Sequence, residues 1–348
     1  MQLRFPEQLD ASGFLRKYWQ RRPLLMRGAL SDYACPLSPE ELAGLSCEED
    51  IESRIVLEKG GTVPWEVRRG PFDAETFARL PPSHWTLLVQ DVDKHVPEVA
   101  SLLEAFRFLP DWRLDDIMIS YAVDQGSVGP HVDEYDVFLI QVSGRRRWRI
   151  HTRPVADQEY IPGLDIRILP DFQTEQEWIL GPSDLLYLPP GVAHWGSAEG
   201  HDCITCSVGF RAPTLQEMAA AWCEARIQPH AIQDRYRDTT LSPQQHPAEI
   251  TRQALTHAQQ LLEMFFERAT EEPGRWFGCF VTEPKPHLQV EPRANPLSME
   301  QFTLALRRNR QLIRNGWSRF AFIRGTADQD FLYVNGEEYP LDHRLQGL

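Results

Sequence analysis

Between Val137 and Val142 the chain carries a β-rich apolar run, and after Ser143-Gly144 come Arg145 and Arg146 and then an alternation of charged and apolar side chains from Arg147 to Ile150. A period of two is the strand period, so the pattern predicts a hairpin with its turn at Ser143-Gly144. Asp184 to Leu188 (DLLYL) and Cys203 to Phe210 predict two further strands. Between them, Pro189-Pro190-Gly191-Val192 predicts a turn that delivers His194 at the start of another strand. Upstream, Gly129-Pro130 predicts an extended entry, because the residue before a proline is pushed out of the α region.

The period changes at Ala212-Pro213. Thr214 with Glu217 three residues later forms a capping-box pattern, and it predicts a helix over 214–227. A second helix is predicted over about 247–269, where Ile250, Ala254, His257, Leu261, Met264 and Phe265 follow helical spacing. Two helices with this much apolar surface suggest a dimerisation segment, with packing on the chain's own β domain as the competing reading. From about 270 the pattern shifts again. Ser298 and Gln301 form another capping box before a predicted helix over 299–314, and strands are expected at 319–323 and 331–334. Asn335-Gly336 predicts a hairpin turn, so residues 333–339 should form a β-ribbon. The chain is therefore read as three regions: 1–212, mainly β; 213–269, helical; and 270–348, a small winged-helix-like α+β domain.

Composition narrows the function classes. With 348 residues and 42% hydrophobic content the chain has the makeup of a globular protein of two or three domains. No apolar run approaches the ~20 residues of a membrane span, and the first ten residues lack the pattern of a signal peptide, so no membrane and a cytoplasmic location are expected. The net charge of −14 disfavours nucleic acid and favours a basic partner. Residues 270–348 hold ten Lys/Arg and ten Asp/Glu, whereas a DNA-binding winged helix normally shows a basic excess. Direct nucleic-acid binding is not expected. The six cysteines show no disulfide framework. Cys203 and Cys206 form a CxxC, but three residues apart on a strand they face opposite ways, so all six are read as reduced.

The candidate chemistry lies at His131, Asp133 and His194. Residues i and i+2 of an extended segment share a face, so His131 and Asp133 can reach one metal ion together, with His194 as a third ligand. Two histidines and one carboxylate are the residue set of a facial Fe(II) site, which leaves positions for a co-substrate and dioxygen. In the 145–150 stretch, Arg146 shares a face with Trp148 and Ile150. If those two face a core, Arg146 is carried inward, where a guanidinium needs an anion; the distal carboxylate of 2-oxoglutarate would serve. Arg145, Arg147 and Arg149 fall on the opposite, solvated face. On the Cys203–Phe210 strand, Thr205 and Ser207 share a phase and are expected to line the same pocket. The remaining histidines lack partners at ligand spacing.

With those residues in hand, GPHVDEYDVFLIQVSGRRRWRI and DLLYLPPGVAHW resemble the core of the JmjC-type, cupin-fold ribosomal oxygenases, and FLRKYWQRRPLLMRGAL (Phe14 to Leu30) is similar to their entry segment. The resemblance covers residues 3–213 with specific motifs and continues more loosely to the C-terminus. It implies a double-stranded β-helix (cupin jelly roll) catalytic domain, followed by the helical segment and the winged-helix-like domain. It also implies His131, Asp133 and His194 as iron ligands and Arg146 as the 2-oxoglutarate anchor. Arg146 stands where the eukaryotic members have lysine, which points to the bacterial branch. For that branch the resemblance implies 3-hydroxylation of an arginyl residue in large-subunit ribosomal protein sixteen, a basic partner. Asp124-Gln125-Gly126-Ser127 departs from the family here, being a more polar version of a commonly Gly-rich passage. The residues alone leave other readings open: a JmjC-type demethylase of lysine or arginine, a small-molecule oxygenase, or a non-catalytic metal-binding cupin.

Overall fold

The computed structural model describes residues 1–60, 64–155, 159–227, 236, 250–267, 273–288, 290–291, 294–308, 314–324 and 329–341. Its backbone groups into two compact units, 1–212 with 285–317 and 213–284 with 318–348.

The first unit is built on two antiparallel sheets. Twelve strands supply them: β1 (Leu24–Met26), β2 (Ser53–Glu58), β3 (Trp65–Arg69), β4 (Trp85–Val89), β5 (Leu114–Ala122), β6 (His131–Val132), β7 (Asp136–Ser143), β8 (Arg146–Pro154), β9 (Gln176–Leu180), β10 (Leu185–Leu188), β11 (Val192–Ala198) and β12 (Cys203–Phe210). The large sheet runs β1-β10-β7-β12-β5-β4-β2-β3 and the small one β6-β11-β8-β9. β10 and β12 are buried at every residue, which accounts for the unbroken apolar-aromatic run LLYL of β10, while β12 keeps Thr205 and Ser207 among its buried side chains. The main core gathers Phe14, Phe106, Phe138, Tyr187 and Phe210 on one face of the large sheet. A second cluster, with Val137, Leu139, Trp148, Ile150, Leu186 and Leu188, fills the space between the sheets.

The expected hairpin over 137–150 is not formed. β7 pairs with β10 and β12, whereas β8 pairs with β11 and β9. At the crossing, Gly144 has φ +64°, and a Cβ there would lie 2.7 Å from the Asp202 carbonyl oxygen. Glycine is required because the chain turns in the left-handed region while pressed against the backbone before β12. The turn therefore moves the chain from one sheet to the other instead of folding it back on itself.

Asp136, fully buried at the start of β7, ties the entry segment to this sheet. Its carboxylate accepts from Arg113 at 3.0 Å, from the Gln20 amide at 3.0 Å and from the Tyr187 hydroxyl at 2.6 Å. Burial still raises its pKa above the ordinary value. Arg113→Met would leave that charge buried without its cation. A loss of about 3 kcal/mol is expected, readable as a lower urea midpoint at unchanged m-value.

In the second unit Thr214 and Glu217 form the expected capping box at the start of the Leu215–Ile227 helix, and a second helix spans Arg252–Glu267. Of the predicted 247–269 stretch, residues 247–249 and 268–269 and the side chain of Phe265 lie outside the described residues. A helix that the sequence reading did not identify, Pro273–Thr282, packs on the three-stranded sheet β13 (Phe320–Ile323), β14 (Asp330–Val334) and β15 (Glu337–Leu341). Gly278 admits the buried Tyr333 ring, which would stand 2.5 Å from a Cβ. Asn335 and Gly336 both take positive φ between β14 and β15, as a type I′ turn demands.

Ser298 and Gln301 cap the Met299–Arg307 helix reciprocally. That helix ends at Arg307, short of the expected 314. Residues 309–313 lie outside the described residues.

Candidate active site

His131 and His194 are cross-strand neighbours in the β6–β11 pair. That register sets their rings 4.2 Å apart, centroid to centroid. Asp133 follows β6 by one residue, and its backbone carbonyl accepts from the Gly191 amide at 2.8 Å, so the Pro-Pro-Gly turn fastens the two ligand segments together. The Asp133 carboxylate lies 3.9 Å from His131 Nε2 and 3.5 Å from His194 Nε2. One donor atom from each residue falls within 4.8 Å of the others.

The tautomers follow from the partners. His131 Nδ1 lies 2.9 Å from the Gly129 carbonyl, and His194 Nδ1 lies 3.0 Å from the Val192 carbonyl. A carbonyl only accepts, so each Nδ1 carries hydrogen and each Nε2 presents its lone pair toward Asp133. Burial, with His131 adding to it, pushes the His194 pKa down to about 4. Two neutral imidazoles and a carboxylate fit a divalent first-row ion such as Fe(II).

The low pKa has a stability consequence with a definite sign. The unfolded value is 6.5 and the folded value about 4, so the unfolded chain binds this proton first. Stability held above pH 6.5 is lost as pH falls toward 4. In metal-free protein, the urea midpoint of wild type should fall more steeply over that window than that of His194→Gln; parallel profiles would contradict it.

The three residues open on a cavity of about 320 Å³ between the sheets, whose lining includes Arg54, Ser120, Tyr135, Arg146, Thr205 and Ser207. Arg146 is 3% exposed. One terminal nitrogen donates to Ser120 Oγ at 3.1 Å and to Thr205 Oγ1 at 3.3 Å, while Nε has no partner. Among the described residues no carboxylate pairs with the guanidinium, and burial lowers its pKa. A buried cation with donors to spare in a cavity of this size is a receptor for an anion. Thr205 is in turn fixed by its hydroxyl, which donates to Gln141 Oε1 at 3.0 Å.

Arg147 and Arg149 fall on the other face of β8. Arg147 pairs with Glu177 and Glu199, and Arg149 with Glu177. Cys203 and Cys206 also face apart: the Gln141 amide donates to the Cys203 sulfur, while Cys206 packs in the main core.

Sequence reasoning missed Ser120, Tyr135 and Arg54. Ser120 reaches Arg146 because β5 pairs with β12 in a register that sets Ser120 opposite Thr205, a fact with no local signal. Tyr135 carried one that went unused, since it stands two residues beyond Asp133 and shares its phase. Asp133, followed by burial, holds the Tyr135 phenol far above its usual pKa and keeps it a hydrogen-bond donor.

Comparison with known proteins agrees with this architecture. Residues 101–218 match the JmjC domain family, and residues 266–346 match the ROXA-like winged helix. The ribosomal protein uL16 3-hydroxylase of Escherichia coli is 36% identical over 97% of this chain and 87% of its own length. A probable ribosomal oxygenase of Haemophilus influenzae is 39% identical over 61% of this chain and 52% of its own. Among solved structures, the X-ray structure of E. coli YcfD superposes with a TM-score of 0.84 at 34% identity, covering 99% of this chain and 89% of that one. A structure of YcfD in complex with cobalt and 2-oxoglutarate gives 0.81 at 35% identity, covering 99% and 88%. A JmjC cupin domain, a ROXA-like winged helix and 36% identity to an established member over 97% of the chain together show that the chain belongs to the JmjC-type ribosomal oxygenases.

Proposed function

We propose that this protein is an Fe(II)- and 2-oxoglutarate-dependent dioxygenase that hydroxylates the 3-position of an arginyl residue in ribosomal protein uL16. The observation that carries the reading is the buried Arg146 guanidinium, with no carboxylate partner among the described residues, in the same cavity as His131, Asp133 and His194. The relative's substrate supplies the choice of uL16. That choice accords with a chain of net charge −14 meeting a basic protein.

In this reading His131, Asp133 and His194 hold the iron through two Nε2 atoms and a carboxylate oxygen. When bound, the metal supplies the oxidative chemistry, with dioxygen and 2-oxoglutarate as co-substrates. Arg146 fixes the distal carboxylate of 2-oxoglutarate, with Ser120 and Thr205 aligning the guanidinium and Ser207 lining the wall beside them. The apolar walls Leu139, Trp148 and Ile168 exclude water from the cavity. The test is mass spectrometry of uL16 after incubation with the protein, Fe(II), ascorbate and 2-oxoglutarate. A gain of one oxygen on an arginyl residue is expected. Loss of a methyl group instead would indicate a demethylase, and no turnover of 2-oxoglutarate under any condition would leave a non-catalytic cupin.

The protein is further proposed to act in the cytoplasm, where ribosomes assemble, as a homodimer joined through residues 213–269. Ile250, Leu255 and Leu262 are between 59% and 72% exposed, an apolar surface that a second copy would cover. Light scattering on Leu255→Glu/Leu262→Glu should report a mass half that of wild type.

A further inference from the structure

The polar passage Asp124–Ser127, which precedes the ligand segment, has a use in the structure. We propose that Ser127 is a positioning residue that locks the His131 segment to the His194 strand and so sets the spacing of the metal ligands. The proposal rests on the assignment of His131 and His194 as ligands above.

Ser127 is 1% exposed, and its hydroxyl is saturated. It donates to the Gly196 carbonyl at 2.7 Å and accepts from the Gly129 amide and the Trp195 indole nitrogen, each at 3.0 Å. A serine hydroxyl has one hydrogen to give and two lone pairs, so every capacity is used. Two of the three partners, Trp195 and Gly196, directly follow His194 on β11. The third, Gly129, offers its carbonyl to His131 Nδ1 at 2.9 Å. One hydroxyl therefore connects the strand of one ligand to the group that orients the other.

The tie is needed because β6 is weak. It has two residues, lies at the edge of the small sheet, and is held to β11 by the pairs Ala193↔Val132 and His194↔His131. Backbone bonds between Gln125 and Ala198, and between Ala198 and Gly126, fix the far end of the loop, the Leu169 amide holds the Pro130 carbonyl at 2.9 Å, and Ser127 adds the side-chain contact that ties the loop to β11 ahead of His131. Its neighbours leave it little freedom. A Cβ at Gly126 would meet the Trp85 carbonyl at 2.2 Å, and one at Gly129 would meet Ile168 at 2.5 Å. The loop is thus wedged, and the hydroxyl sets its register against β11.

Cobalt(II) titration followed by visible absorption separates this role from a merely structural one. Ser127→Ala should bind cobalt at least about tenfold more weakly than wild type, the range found for partners that orient a ligand. Trp195→Phe, which removes one of the three bonds and keeps an aromatic ring, should show a smaller loss and serves if Ser127→Ala fails to fold. Cobalt affinity equal to wild type in a folded Ser127→Ala, or failing that in Trp195→Phe, would overturn the proposal even if the melting temperature fell. Wild-type protein that binds no cobalt, or binds it undiminished by His131→Ala, would overturn the ligand assignment and this proposal with it.

Discussion

His131→Ala is expected to abolish hydroxylation, with turnover reduced by at least about 10³-fold, equivalent to about 4 kcal/mol of lost transition-state stabilisation. Of the two histidines it is the cleaner probe. Its side chain is 22% exposed, against 2% for His194, so truncation opens no sealed cavity and the fold should survive. What remains is one imidazole and one carboxylate, too few donors to retain a divalent ion against solvent at working concentrations. Turnover of 2-oxoglutarate and oxygen incorporation into uL16 should fall together while the melting temperature of the metal-free protein stays close to wild type. Activity within tenfold of wild type would remove His131 from the site.

The convergence of these residues was legible because its determinants are local. His131 and Asp133 are two apart after Gly-Pro, His194 follows a Pro-Pro-Gly turn, and the phase of Trp148 and Ile150 carries Arg146 inward. Thr205 and Ser207 followed from the same parity on β12. The hairpin over 137–150 failed for a related reason. Alternation tells which way a side chain points and not which strand lies alongside, and β7 and β8 meet partners from 26 or more residues further on. Ser120 was illegible because only the β5–β12 register places it under Arg146. The Pro273–Thr282 helix was obscured by its composition: aromatic and β-branched residues with an internal glycine read poorly as helix, until Tyr333 on the ring-bearing side explains Gly278.

Arg146→Ala separates affinity from stability in a way that His131→Ala does not. The guanidinium is buried; among the described residues its Nε lacks a partner and no carboxylate pairs with it, and two hydroxyl oxygens and the Trp148 ring, 5.2 Å away, are what meet it, so its charge is only partly compensated. Removing it should cost the metal-free fold little, because the cost of burying the charge disappears with the charge. The loss should appear on the ligand side. A buried cation meeting a carboxylate through charge-assisted hydrogen bonds is worth about 3–4 kcal/mol, within the range found when one partner is truncated, so the Kd for 2-oxoglutarate should rise by about 10²–10³-fold. Thermal shift reads both halves at once. Saturating 2-oxoglutarate stabilises wild type through mass action, by about 2.7 kcal/mol at a hundredfold excess over Kd. In Arg146→Ala the same concentration should produce almost no shift from an unchanged baseline. Arg146→Lys should recover part of it, since an ammonium keeps the charge but not the planar fork. A wild-type ligand shift in Arg146→Ala would mean that the carboxylate is held elsewhere in the cavity, and Arg54, which lines it from β2 of the large sheet, would be the residue to change next.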